Sequence, residues 1–156
     1  MKRLYVSAFQ SAMFNEILAR RIDAIDRVWV GDLAQKTDSG GIFVVEDEAA
    51  EQARAAAGEI SPTGPIPGYR TQLAEGPGGQ IESDVLEARR IDLEQFRRIG
   101  ALKAKGTRRA LRFALRDPDL ESGSDEHGEY LALRFAAPSG CYATIAVEEI
   151  TKSQSE

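Results

Sequence analysis

Residues 97 to 116 hold Arg97, Arg98, Lys103, Lys105, Arg108, Arg109, Arg112 and Arg116, without one Asp or Glu. Cations packed this closely attract phosphates, so contact with a nucleic-acid backbone is the chemistry the segment can do. Eight of the chain's 20 basic side chains lie there, leaving 12 elsewhere against 25 acids, and the whole chain carries −5. The other reading of the same run is a solvated face, paired with the acidic stretch Asp117 to Glu129 that follows. Tyr69 beside Arg70 is a second arrangement with chemistry in it. An aromatic ring and a guanidinium on a loop can stack on a base. Equally, Tyr69 can cover the core while Arg70 is solvated.

Other reactive side chains are sparse. One His and one Cys cannot build a zinc site of nitrogen and sulfur ligands. The lone Cys141 excludes an internal disulfide and fits a reducing cytosol. His127 sits among acids in a polar stretch and is expected to be exposed, not to act as a base. Asp32, Asp38 and Asp84 have no context that marks a nucleophile. No apolar run approaches the roughly 18 residues of a membrane span, and no signal-peptide core follows Lys2-Arg3. At 42% hydrophobic and 29% charged, the composition is that of a folded, soluble protein with a real core.

The elements that must position these residues read as a mixture. Val6, Phe9, Met13 and Ile17 form one apolar face of a helix over 8–22, opened by the capping pair Ser7 and Gln10. Gln10 and Asn15 on that helix either tie it to neighbouring backbone or touch a ligand. Residues 27–34 and 41–45 read as a hairpin about a turn cluster at 36–41. Asp47 caps a helix to Ala57, closed by Gly58. Residues 61–80, with Pro62, Pro65, Pro67, Pro77 and five glycines, read as a long loop or linker. Ile81, Val85, Leu86 and Ile91 mark an amphipathic helix, and Asp92-Leu-Glu-Gln95 starts another that runs to Gly100. Leu111, Phe113 and Leu115 then alternate with Arg112, Ala114 and Arg116, a strand whose outer face carries arginines. A loop over 117–129, a strand over 130–135 and a final helix over 141–150 complete an α+β chain with short sheets. The acid-free basic segment, the arginine strand and Arg70 make Arg70, Lys103, Lys105, Arg108, Arg109, Arg112 and Arg116 the candidate RNA contacts.

Four stretches carry a family resemblance. Leu4-Tyr-Val-Ser-Ala-Phe-Gln-Ser-Ala-Met-Phe-Asn15 resembles the L-Y-L-S-A-x-Q-S-x-x-F-N signature of the TruD family of tRNA pseudouridine synthases. Leu133-Arg-Phe-Ala-Ala-Pro-Ser-Gly-Cys-Tyr-Ala-Thr144 resembles that family's terminal F-x-L-P-x-G-S-Y-A-T segment. Between them, Pro62-Thr-Gly-Pro65 and Arg108-Arg-Ala-Leu111 match its T-G-P and R-R-x-L segments in order. The resemblance implies the C-terminal part of a discontinuous α+β catalytic domain that carries an inserted TRUD domain. Residues 1–112 would be most of the insertion, entered partway, and 113–156 the return to the catalytic domain. RNA would lie in the cleft between the two, lined by Gln10, Asn15, Tyr142 and Thr144.

The reaction implied is conversion of uridine to pseudouridine at position thirteen of certain tRNAs, in the cytoplasm, with no cofactor and no membrane. The target base is flipped out of the RNA to be reached. The family's catalytic Asp belongs to a G-x-K-D motif that this sequence does not contain. The resemblance therefore places no catalytic residue here and makes the missing N-terminal half a partner, in cis or trans. It leaves a non-catalytic RNA-binding module, using the basic 97–116 segment, as the other function, and a remnant that binds no RNA as a third. Two further departures are Cys141, where the family usually has serine, and Glu148, where it often has arginine.

Overall fold

A computed structural model describes residues 2–98 and 103–152, so Ile99 to Leu102, including the expected stop at Gly100, lie outside the described residues. The chain separates into two compact units, Met1–Arg112 and Phe113–Glu156. It is α+β throughout.

The first unit opens on helix α1, Lys2–Arg21. Leu4, Tyr5 and Val6 continue the helical run upstream of Ser7, so Ser7 lies inside the helix and does not cap it. Met13, Phe14 and Ile17 are buried along one face, and Arg20 and Arg21 fall in the last turn, where cations complement the helix dipole. Strands β1 (Leu33–Lys36) and β2 (Ile42–Val44) make the expected hairpin, in register Leu33 to Val44. The first strand is shorter than the alternation suggests, because the turn at 29–32 is tied up by Asp32, whose carboxylate accepts from the Trp29 amide at 2.9 Å. Asp47 caps helix α2 (Glu48–Ala56), accepting from the amides of Ala49 and Ala50. Gly58, at φ +75°, ends it with amide bonds from Gly58 to Ala55 and from Glu59 to Arg54.

The proline-rich stretch is not a loop. Residues Ile60–Ile66 form strand β3 in the middle of an antiparallel sheet ordered β2-β1-β3-β4, where β4 is Thr107–Ala110. A central strand normally excludes proline, which has no amide hydrogen to give. Here the strand changes neighbours midway. Ile60, Ser61 and Pro62 pair with β1, while Thr63 to Ile66 pair with β4. Pro62 and Pro65 thus each have a ladder partner on one side within the paired registers, and Pro62, Pro65 and Pro67 are fully buried. Helix α3 (Gly76–Ala88) follows, with a proline near its start, and a short 3-10 turn, Leu93–Arg97, is capped by Asp92. Two apolar clusters hold the unit together: Val28, Ala34, Val45, Ala55 and Ile60 between sheet and α2, and Met13, Ile17 and Val85 between α1 and α3. Each large aliphatic side chain so buried contributes about 1.5–3 kcal/mol.

The second unit is a two-stranded hairpin of β5 (Arg116–Asp125) and β6 (Gly128–Ala136), followed by helix α4 (Ala143–Thr151). Two expectations change here. The alternating strand over 111–116 does not form: β4 ends at Ala110, and the pattern runs across the boundary between units. The acidic stretch is strand, not loop, with the turn at Glu126-His127 and Gly128 at φ +120°. Pro118, lacking an amide hydrogen, sits in a register shift between Arg116 and Asp119. No helix among the described residues is long and apolar enough to cross a membrane.

Candidate nucleic-acid interface

Two backbone segments of the first unit are zipped together beside α1. The Tyr69 amide donates to the Ala104 carbonyl at 3.1 Å, and the Arg70 amide to that of Lys105 at 2.9 Å. Glycine makes this approach possible: a Cβ on Gly68 would strike the backbone of Lys105 and Gly106, and Gly106 itself lies at φ +74°. The Gln10 amide nitrogen, on α1, donates to the Pro67 carbonyl at 2.6 Å, and the Ala104 amide to the Phe96 carbonyl at 3.2 Å. The result is an open concavity of about 380 Å³ whose lining includes Arg3, Ser7, Gln10, Lys103, Lys105 and Thr107. Three of these are cations, and no acid is among the described residues that line it. Cations and hydroxyl groups in one hollow are what a phosphodiester backbone needs.

The basic segment divides between this surface and the interior. Arg109 is exposed, with its guanidinium 5.7 Å from the Phe14 ring. Lys103 and Lys105 are exposed at the concavity. Arg108 turns inward, a correction to its reading as an RNA contact. Its guanidinium donates to Thr63 Oγ1 (2.7 Å), the Thr63 and Gln72 carbonyls (2.7 and 2.8 Å) and both oxygens of Glu82 (2.5 and 3.1 Å). All five of its donors are thereby used. Arg112 is also drawn in, donating to the Ala55 and Ile60 carbonyls. Arg97 pairs with Glu94 at 2.8 Å and covers the Tyr69 ring at 4.5 Å, with the Arg70 guanidinium at 5.6 Å. Tyr69 is therefore occupied by its own arginines. The Arg97 hydrogen bond holds the Glu94 carboxyl below its ordinary value.

Of the expected cleft residues, Gln10 ties α1 to Pro67 and Asn15 lies exposed on α1. Tyr142 and Thr144 are exposed at the start of α4 in the second unit, and Arg116 is exposed at the start of β5. His127 is 84% exposed, as its surroundings suggested. Sequence reasoning passed over Arg3 and Thr107 and read Ser7 only as a helix cap. Arg3 and Ser7 stand one turn apart on α1, a relationship visible only once the helix is taken back to Lys2.

The family model described as tRNA pseudouridine synthase D (TruD) matches residues 1–150. The chain belongs to the TruD family. It is 45% identical over 154 residues to the tRNA pseudouridine synthase D of Geobacter sp. (strain M21), covering 98% of this chain and 37% of that protein. It is 41% identical over 158 residues to that of Anaeromyxobacter dehalogenans (strain 2CP-1), covering 100% of this chain and 44% of that protein. The crystal structure of the putative tRNA pseudouridine synthase D (TruD) from Methanosarcina mazei superposes with a TM-score of 0.81 at 31% identity, covering 98% of this chain and 39% of that one. The chain thus spans less than half the length of these TruD proteins.

Within this TruD chain, two of the recognised segments prove to be neighbours. Thr63-Gly-Pro65 lies in β3 and Arg108-Arg-Ala110 in β4, in register Gly64 to Arg109 and Pro65 to Arg108. Thr63 Oγ1 accepts from Arg108 and donates to the Leu33 carbonyl at 2.5 Å. These TruD motif residues build the sheet and its buried ion pair.

Proposed function

We propose that this chain is the C-terminal part of a tRNA pseudouridine synthase, acting with the portion that carries the family's catalytic Asp. The match of the family model over residues 1–150 carries this reading, together with the 37% share of a full-length relative that the chain spans. The first unit would be most of the inserted domain and the second the end of the catalytic domain. The substrate is tRNA, and the reaction takes place in the cytoplasm. Breaking the N-glycosidic bond, turning the uracil and rejoining it through carbon needs a base already extruded from the RNA stack. The chain's contribution is to hold the RNA. Phosphates rest on Lys103, Lys105 and Arg3, with Arg70 and Arg109 as further cations and Gln10 and Asn15 as further contacts of the first unit, while Arg116, Tyr142 and Thr144 are the contacts the second unit offers.

Phosphate contacts of this kind set the register of an RNA without choosing a base. The chain alone is inactive, because it holds no G-x-K-D segment. The non-catalytic RNA-binding module is the second reading, favoured by the same basic concavity. The two separate on one experiment: adding the preceding portion of a TruD relative to this chain restores pseudouridine formation under the first, and leaves only tRNA binding under the second.

A further inference from the structure

A second concavity flanks α1, on the other side of Val6 from the basic one, and Val6 lines both. It measures about 360 Å³ and is lined by Tyr5, Phe9, Arg90, Ile91, Gln95 and Phe96, among others. That size falls within the range of clefts that take small ligands, about 300–1,000 Å³. The Phe9 and Phe96 rings stand 6.4 Å apart and are tilted by 34°. Tyr5 is 67% and Phe9 45% exposed, more than aromatic side chains packed only for stability would be.

The last turn of α3 supplies an independent observation. The Ile91 amide donates to the Leu86 carbonyl and the Arg90 amide to that of Glu87, the two bonds of a Schellman ending. In that ending the left-handed position is the one glycine ordinarily fills. Here it is Arg90, at φ +54°. A long charged side chain is thus held in a conformation unfavourable to it, at the rim of an aromatic hollow. The Arg90 guanidinium makes no ion pair with the described residues. Local sequence choices that oppose the backbone are expected where a site is being served.

We propose that this concavity receives one unstacked base of a single-stranded RNA segment. The base stacks on Tyr5 and Phe9, and Arg90 covers its open face or the adjoining phosphate. Gln95, whose side-chain amide both donates and accepts, meets the base edge. The basic concavity next door holds the flanking phosphates, since the Ala104 to Phe96 backbone bond joins the two linings. The inference rests on the RNA-binding reading above. It moves the base-stacking platform from Tyr69, which Arg97 and Arg70 already cover, to the outer face of α1.

Binding of the 156-residue chain to a short single-stranded oligoribonucleotide, and to the same oligomer with abasic sites throughout, tests it. Tyr5→Ala should weaken binding of the base-containing oligomer about tenfold and leave the abasic one unchanged. Arg90→Gly should weaken the base-containing oligomer about threefold while holding or raising Tm, since glycine relieves the left-handed residue. Lys103→Ala with Lys105→Ala should weaken both oligomers alike. A wild-type chain that retains neither oligomer overturns the RNA-binding reading and this inference with it. Wild-type binding that Tyr5→Ala and Arg90→Gly leave unchanged overturns the base pocket alone. The same holds if these variants lose association with the preceding portion of a TruD relative, which would make the hollow a protein interface.

Discussion

The Arg108 guanidinium grips both oxygens of the Glu82 carboxylate, at 2.5 and 3.1 Å, with the two side chains only 4% and 3% exposed. One partner comes from β4 and the other from α3, so the pair joins sheet to helix. Removing one member leaves the other charged and buried. Arg108→Ala should therefore destabilise the chain by about 3–5 kcal/mol, read as a lowered midpoint in urea. Arg109→Ala, one residue on and exposed, should move stability by no more than about 0.5 kcal/mol and act only on RNA affinity. Equal losses of stability in the two variants would contradict the inward placement of Arg108.

Arg21 and Asp32 form the second buried pair among the described residues, at 2.5 Å, with the Arg21 guanidinium 3.9 Å from the Trp29 ring centre. Asp32 also caps the turn by accepting from the Trp29 amide. Asp32→Ala should cost about 3–5 kcal/mol for the same reason. It should also change the emission of Trp29, the chain's single tryptophan, since the cation stacked on its ring loses its anchor.

Gly68 and Gly106 let the two segments of the basic concavity touch. Gly68→Ala has no room for its methyl group and should cost about 1–3 kcal/mol. Because the same displacement moves Lys103 and Lys105, tRNA affinity should fall at temperatures where the variant is still folded. Far-UV circular dichroism and filter binding on one sample separate the two effects.

Much of the first unit was legible from local chemistry. Asp47 and Gly58 bracket α2 as their types require, and the hairpin of β1 and β2 follows from its turn cluster. The misread parts failed for tertiary reasons. Pro62 and Pro65 look like loop residues until β3 is seen to change partners between them. Leu111 to Arg116 alternate like a strand, but Arg112 is held by carbonyls of α2 and β3 and the ladder stops at Ala110. Charge counting found the basic segment but could not separate Arg108, whose partner Glu82 lies 26 residues away, from Lys103 and Lys105. The family resemblance rested on residues, such as Thr63 and Arg108, whose work is structural.

Glu94 and Arg97 give a titration that checks the 3-10 turn. The Arg97 hydrogen bond lowers the Glu94 pKa from its ordinary 4.5. A depressed carboxyl contributes stability above its unfolded value and loses it as the pH falls through the folded value. The pair should therefore be intact at neutral pH and weaken only in acid. Carboxyl NMR should place the Glu94 midpoint below 4.5, and Arg97→Ala should raise it.

Each phosphate held by a cation should appear in the salt dependence of tRNA binding. Lys103→Ala and Lys105→Ala should each reduce the slope of log K against log salt by about 1. Arg108→Ala, measured where it is still folded, should leave the slope unchanged.

The chemistry of the proposed reaction offers its own signal. Rejoining uracil to ribose through carbon expels the hydrogen at C5, so a tRNA transcript labelled with tritium at C5 of uridine releases tritium to water for each pseudouridine made. This chain mixed with the preceding portion of a TruD relative should release tritium, and neither part should do so alone. Release by this chain on its own would contradict the account, as would its failure from a mixture in which both parts bind each other and the tRNA.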